Sequence, residues 1–300
     1  MLRDFPLMRA TTPPREAAPV AVRDAATVML LRRAAGPGAG VEVFTLRRAP
    51  RMAFAAGMLA FPGGAVEPGD ADPRLPWRGP GPADVAAALG TDAAQARALV
   101  AAAVRETFEE CGVLLAGPPE EQADVPGGAP GDDRQHDRQH EEWRQALLAG
   151  SATLADVLLD AGLVVDAGLL RPWAHWITPP WEPRRFDTRF FVAPLPGGQQ
   201  ARHLPGEAAQ ASWRDAGEAV REHRAGRLPM LPPTLVMLED LAAAPSVAAV
   251  LATPRRLRPV SPWRERVDGT DVLRVDLDGI GGGEPAPDPG RVPGAGRAGA

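Results

Sequence analysis

Lysine, asparagine and tyrosine are absent from this 300-residue chain, and cysteine occurs once. Without lysine there is no Schiff base on an ε-amino group and no lysine-dependent phosphate loop. The single Cys111 excludes an intramolecular disulfide and a cysteine-rich zinc site. No apolar run reaches the roughly eighteen residues of a membrane helix. The longest candidate, 241–252, is short and contains Pro245. Residues 1–16 mix Arg, Asp and Pro with no apolar stretch, so no secretory leader and a cytoplasmic setting are expected. A basic surplus is missing too: the net charge is −5, which gives no electrostatic footprint for nucleic acid.

What is present suffices for a core, since 45% of the residues are apolar. Residues 1–23 read as a flexible arm, and 24–265 as one domain. Residues 266–300, rich in Gly, Pro and Asp, read as a partly disordered tail. Within the domain, 25–33 and 41–48 read as strands joined by a Gly/Pro connection. A Pro/Gly/Asp-rich insertion at 71–90 includes a short helix near 84–89 and is expected to lie over the surface. Thr91 is the expected N-cap of a helix over 92–111, with Gly112 as its stop. The segment 117–139, in which DRQH occurs twice, reads as a flexible loop. Two helices follow in 141–161, then strands at 173–178 and 185–193, then helices at 218–226 and 233–243. Strands and helices without regular alternation point to the α+β class.

The chemistry concentrates in Arg105-Glu106-Thr107-Phe108-Glu109-Glu110-Cys111-Gly112-Val113. On a helix, Glu109 and Glu110 lie three and four positions after Glu106, so the three carboxylates share a face. Ala101, Val104, Phe108 and Cys111 fall toward the opposite side and can pack on a sheet. Stacked carboxylates repel one another unless a cation sits among them, and hard divalent ions with oxygen ligands suit that need. Arg105 can pair with a neighbouring carboxylate and fix its orientation. Upstream, Phe61-Pro62-Gly63-Gly64-Ala65-Val66-Glu67-Pro68-Gly69-Asp70 is a loop whose glycines allow close backbone approach to a diphosphate.

Together the two segments resemble the Nudix box, G-x5-E-x7-R-E-U-x-E-E-x-G-U, where U is a bulky aliphatic residue. Gly64 matches its start, and Arg105, Glu106, Glu109, Glu110, Gly112 and Val113 match its second half. Asp70 stands where the family has Glu, and residues 71–104 occupy the space of the usual seven. The coenzyme A diphosphatase-type branch, with its bacterial relatives, carries such an interruption between an FPGG segment and V-R-E-T-F-E-E-x-G-V. WAHWITP at 173–179, RFDTRFF at 185–191, the Glu207-to-Trp213 spacing and LPPTLVML at 231–238 extend the similarity.

The resemblance implies a Nudix fold, a mixed sheet in an α/β/α sandwich with helical insertions. It implies Mg²⁺ or Mn²⁺ held by Glu106, Glu109, Glu110 and the Gly64 carbonyl. Glu106, Arg105 and Glu207 become the catalytic candidates, with Glu106 as ligand or base. Residues 45–64 resemble a signature that accompanies coenzyme A specificity; they match it at Arg48, Ala49, Gly57 and 61–64, with Ala53 in place of its second arginine. Arg48 and Arg51, with Gly63 and Gly64, are therefore the substrate-binding candidates, the arginines for a 3′-phosphate. The implied substrate is coenzyme A or an acyl-CoA, cut to 3′,5′-ADP and 4′-phosphopantetheine. An ADP-ribose or nucleotide-sugar diphosphatase and an inactive nucleotide-binding regulator are the alternatives. A homodimer is compatible with the resemblance. His175, the tryptophans 173, 176 and 181, and Cys111 read as packing residues.

Overall fold

The computed structural model describes residues 1–7, 20–34, 40–50, 55–119, 133–204 and 208–278, with only the backbone of 133–137. Leu2–Pro6 forms β1, Val22–Arg33 β2 and Val41–Arg48 β3. Two short strands, β4 (Leu59–Ala60) and β5 (Gly63–Ala65), carry the glycine segment. After β6 (Trp77–Arg78) come α1 (Pro82–Leu89) and α2 (Ala93–Cys111). The middle of the chain supplies β7 (Ala116–Gly117), α3 (Asp133–Leu148), α4 (Leu154–Ala161) and β8 (Val164–Asp166). Then β9 (Arg171–Ile177), β10 (Arg185–Pro194) and β11 (Ala208–Asp215) lead to α5 (Ala216–Arg224). Helices α6 (Pro232–Ala243) and α7 (Val247–Ala252) precede β12 (Pro259–Val260), β13 (Trp263–Val267) and β14 (Thr270–Asp276).

The central sheet has the order β11-β3-β2-β10-β9-β12, with β4 added to β3 and β5 to β2. It is mixed: β10 runs parallel to β2 and antiparallel to β9. Alternation along β2 divides its side chains between two cores. Val28 and Leu30 join Phe44, Leu99, Val104 and Phe108 beneath α2. Met29 and Leu31 join Val43, Val220, Met237 and Leu238 beneath α5 and α6. Each such side chain, fully buried, contributes roughly 1.5–3 kcal/mol. The result is the expected α/β/α sandwich.

Helix α2 forms because its alanine-rich first half has high helix propensity. Asp92, not the expected Thr91, is its N-cap: the Asp92 carboxylate accepts from the Gln95 N–H. At the other end Gly112 takes the left-handed conformation (φ 74°) and donates its N–H to the Phe108 carbonyl. Among the described residues, no helix is long and apolar enough to cross a membrane.

Four segments differ from expectation. The arm at 1–23 contains β1, which pairs antiparallel with β14 and buries Phe5. The tail from 266 likewise contains the end of β13 and all of β14. β1 and β14 meet across more than 260 residues, so that pairing leaves no local trace, whereas β13 and β14 form a hairpin through the turn at 268–269. The insertion 71–90 is part of the core: Leu75, Val85, Ala86 and Leu89 are buried under α2. The spacing of Val85, Ala86 and Leu89 gives α1 an apolar stripe that needs cover. In 117–139, Asp133 onward is helical as the start of α3, and 120–132 lies outside the described residues.

Candidate active site

β2 and β3 pair only where Leu31–Arg33 meets Val41–Val43, and then part. The glycine segment occupies the split, with β4 bonded to β3 and β5 to β2. Gly63 is obligatory there. Its φ is 154°, and a Cβ would lie 2.4 Å from the Ala26 carbonyl oxygen and 2.7 Å from Thr27 Cα, both backbone atoms. At Gly64 a Cβ would lie 2.2 Å from Glu106 Oε1, so the carboxylate fills the space that glycine leaves. The Gly63 N–H donates to Glu110 Oε2 at 2.8 Å. The loop is thus fixed to α2 through both glycines.

Arg105, only 6% exposed, organises the carboxylates. Its Nε and Nη2 donate to the two oxygens of Asp70 at 2.9 and 3.0 Å, a bidentate pair. Nη2 also donates to the Ala65 carbonyl at 3.0 Å. Nη1 donates to Glu106 Oε1 at 2.9 Å and to Glu109 Oε2 at 3.2 Å. Asp70 is 1% exposed and accepts in addition from the Glu67 N–H at 2.8 Å. The shortened acid therefore still meets its arginine, because the turn at Pro68–Ala71 carries Asp70 inward.

The electrostatics follow from burial. Burial opposes the Arg105 charge, but Asp70, Glu106 and Glu109 together hold its pKa far above the ordinary value. Glu106 is pushed up to about 7, chiefly by burial and further by Glu109, against the pull of Arg105. Glu109 is raised in the same way, with Glu67 and Asp70 adding repulsion. Arg105 alone leaves the cluster short of positive charge, and its donors are hard oxygens, the set that suits a divalent cation. Among the described residues no group of three or more Asp, Glu, His or Cys side chains is spaced to hold a metal ion in this arrangement.

The model of the NUDT19 Nudix domain matches residues 15–241, which contain the whole arrangement. The chain belongs to this Nudix family. It is 29% identical over 199 residues to the acyl-coenzyme A diphosphatase NUDT19 of Gallus gallus, covering 63% of this chain and 49% of that protein. To the protein of the same name from Homo sapiens it is 26% identical over 238 residues, covering 69% and 62%. The chain thus spans about half of the first of these relatives. Among solved structures, a NUDIX hydrolase from Alicyclobacillus acidocaldarius shares 32% identity with a TM-score of 0.58, covering 79% of this chain and 98% of that one.

Of the residues expected from the sequence, the Nudix fold brings Arg105, Glu106, Glu109, Glu110, Gly63 and Gly64 together. Arg48 ends β3, half-buried. It alternates with Phe44 and Leu46 of the α2-side core, so it leaves the sheet on the face of the box. Arg51 and Glu207 lie outside the described residues. Cys111 is fully buried, and burial raises its thiol pKa, in keeping with a packing residue. Trp173 and Trp176 are buried in the opposite core.

Two contributors were given no role from the sequence. Asp70 is the buried partner of Arg105, and its place in the box pattern was the available signal. Arg144 of α3, 3% exposed, donates to the Glu109 carbonyl at 3.1 Å and ties α3 to the end of α2. Nothing local in the Arg144 segment announces that contact.

Proposed function

We propose that the protein is a divalent-metal-dependent diphosphatase acting on coenzyme A or an acyl-CoA and releasing 3′,5′-ADP and a 4′-phosphopantetheine product. The observation that carries this reading is the carboxylate cluster of α2 closed around Arg105 and against Gly63–Gly64. The Nudix membership and the name of the curated relatives, acyl-coenzyme A diphosphatase, support it. Arg48, on the same face of the sheet, supports the choice of a substrate with an additional phosphate.

In this reading Glu106, Glu109, Glu110 and the Gly64 carbonyl hold Mg²⁺ or Mn²⁺. Bound there, the metal supplies neutralising charge for the phosphoryl oxygens and lowers the pKa of a water. The chain's own residues do the rest. Arg105 touches no substrate; it orients Glu106 and Glu109 and keeps them from turning away. Glu106 serves either as one of the metal ligands or as the base that takes a proton from the attacking water. Glu207 assists as a second carboxylate, and Arg48 and Arg51 bind the 3′-phosphate. Cleavage within the diphosphate leaves one phosphate on each product.

The deciding experiment measures turnover of coenzyme A, dephospho-coenzyme A and ADP-ribose with Mg²⁺ or Mn²⁺. Glu109→Gln and Glu110→Gln should each lower turnover by orders of magnitude while the protein stays folded. Arg48→Ala or Arg51→Ala should cost roughly 1.5–3 kcal/mol on coenzyme A, about ten- to hundredfold in kcat/KM, and spare dephospho-coenzyme A. Full activity in excess chelator would remove the metal chemistry. Cleavage of ADP-ribose but not coenzyme A would leave the Nudix chemistry and change the substrate.

A further inference from the structure

The register of the central sheet continues past the box. Gly64 pairs with Ala26, Ala26 with Arg189, and Arg189 with His175, so a single row crosses β5, β2, β10 and β9. Side chains of one row leave a sheet on one face. At Gly64 that face is occupied by Glu106, and Ala26 belongs to the α2-side core. The flanking residues Phe190, Ala174 and Trp176 all lie in the opposite core. Arg189, His175 and Asp187, two residues before Arg189 on β10, therefore lie on the box side. With strands about 4.8 Å apart, the backbone of Arg189 is roughly 10 Å from Gly64.

Arg189 is 4% exposed. Its Nη1 donates to Asp187 Oδ1 and lies 2.7 Å from His175 Nε2, which also contacts Asp187 Oδ1. Both Arg189 contacts thus fall on one nitrogen. Its Nε is buried and meets no acceptor among the described residues. Leaving such a donor unmet is costly, and the Nε–Nη2 edge of a guanidinium matches two oxygens of a phosphate. Asp187, with a quarter of its side chain exposed, is the member of the network open to solvent.

We propose that Arg189 is an anion-binding residue of this site, oriented by Asp187 and His175 to receive a phosphate of the nucleotide on the β10 side of the box. Arg48 stands on the β3 side, so the two arginines flank the carboxylates. The assignment rests on the nucleotide diphosphatase reading for the class of ligand. Asp187 and His175 are positioning residues, and Arg189 is the contact.

The test is binding of ADP and of 3′,5′-ADP to the full chain in chelator, by titration calorimetry. Arg189→Gln should weaken ADP at least tenfold, and Arg189→Lys should recover part of that loss. Asp187→Asn, which keeps the arginine and releases its orientation, should fall between them and raise KM more than it lowers kcat. Equal losses for both nucleotides assign the contact to the 5′ side; a loss confined to 3′,5′-ADP assigns it to the 3′-phosphate. Either supports the proposal. Wild-type affinity for both nucleotides in Arg189→Gln overturns it, as does a wild type that binds neither. Should Arg189→Gln not fold, the Arg189 Nε–H resonance of the wild type, identified by its absence from Arg189→Lys, decides: a shift on saturation with ADP supports the contact, and no shift overturns it. These are binding readouts, so a wild type that binds ADP through Arg189 yet hydrolyses nothing would sink the diphosphatase reading alone.

Discussion

Two buried arginines lie on the same face of the central sheet, and they are held in opposite ways. Arg105 is saturated: Nε, Nη1 and Nη2 all donate, to Asp70, Glu106, Glu109 and the Ala65 carbonyl. Arg189 is anchored through Nη1 alone, and its Nε has no acceptor among the described residues. A saturated guanidinium fixes protein groups and has no edge left for a ligand. A guanidinium anchored at one corner keeps its orientation and still has donors to offer. The carboxylates differ as well. Glu106 and Glu109, beside Arg105, are raised by burial and by repulsion from neighbouring carboxylates. Burial works to raise Asp187, but His175 and Arg189 outweigh it and hold the carboxyl below the ordinary range.

The largest effect expected from this contrast is on stability at the box. Arg105→Leu leaves Asp70 buried without its partner and should cost about 3–5 kcal/mol in urea unfolding, the range for breaking a buried pair. A loss below 1 kcal/mol would mean that the Arg105 network is not the structural centre described.

Next comes the pH dependence of the metal-free protein. Glu106 has an ordinary pKa of 4.5 and a folded value of about 7. Between these values the folded state binds more protons than the unfolded, so stability should fall as pH rises through that window. The fall should be about 3 kcal/mol at most. Glu106→Gln should flatten this slope, and added Mg²⁺ should reverse part of the loss. A stability that instead rises from pH 5 to 7.5 in the wild type and is untouched by Glu106→Gln would contradict the burial of that carboxyl.

Restoring the family's longer acid should do harm here. Asp70→Glu adds a methylene at a site 1% exposed whose two oxygens already meet Arg105. Overpacking of that kind costs roughly 1–3 kcal/mol. An unchanged melting temperature would show that the turn at 68–71 is looser than its contacts imply.

The smallest effect belongs to the second network and has the opposite sign with pH. Because the Asp187 pKa is depressed on folding, its stabilisation is present above the ordinary carboxylate value and is lost as pH falls through the folded one. Asp187→Asn should therefore cost about 1–2 kcal/mol at neutral pH and little in acid. The stability difference between the two proteins should shrink as pH falls through the depressed Asp187 value; a difference that stays constant into acid would show that Asp187 does not titrate with folding.

The sequence by itself determined the chemistry and much of the secondary structure. The spacing of Arg105, Glu106, Glu109 and Glu110 on an alanine-rich helix fixes a carboxylate face whatever surrounds it, and Gly112 stops that helix through its own backbone freedom. These are interactions within a few residues, where periodicity and propensity are sufficient. The alternation in β2 and the aromatic run of β10 were legible for the same reason. Only the tertiary structure decided the rest. Asp70 lies 35 residues from Arg105, and their bidentate pair depends on how the 71–90 insertion folds back under α2. The pairing of β1 with β14 joins the two ends of the described chain across more than 260 residues. His175, Asp187 and Arg189 face the box because β10 runs parallel to β2 in one particular register, and a shift of one residue would turn all three into the opposite core. Contacts of that range carry no periodic trace, since they are set by packing between segments whose separation along the chain is arbitrary.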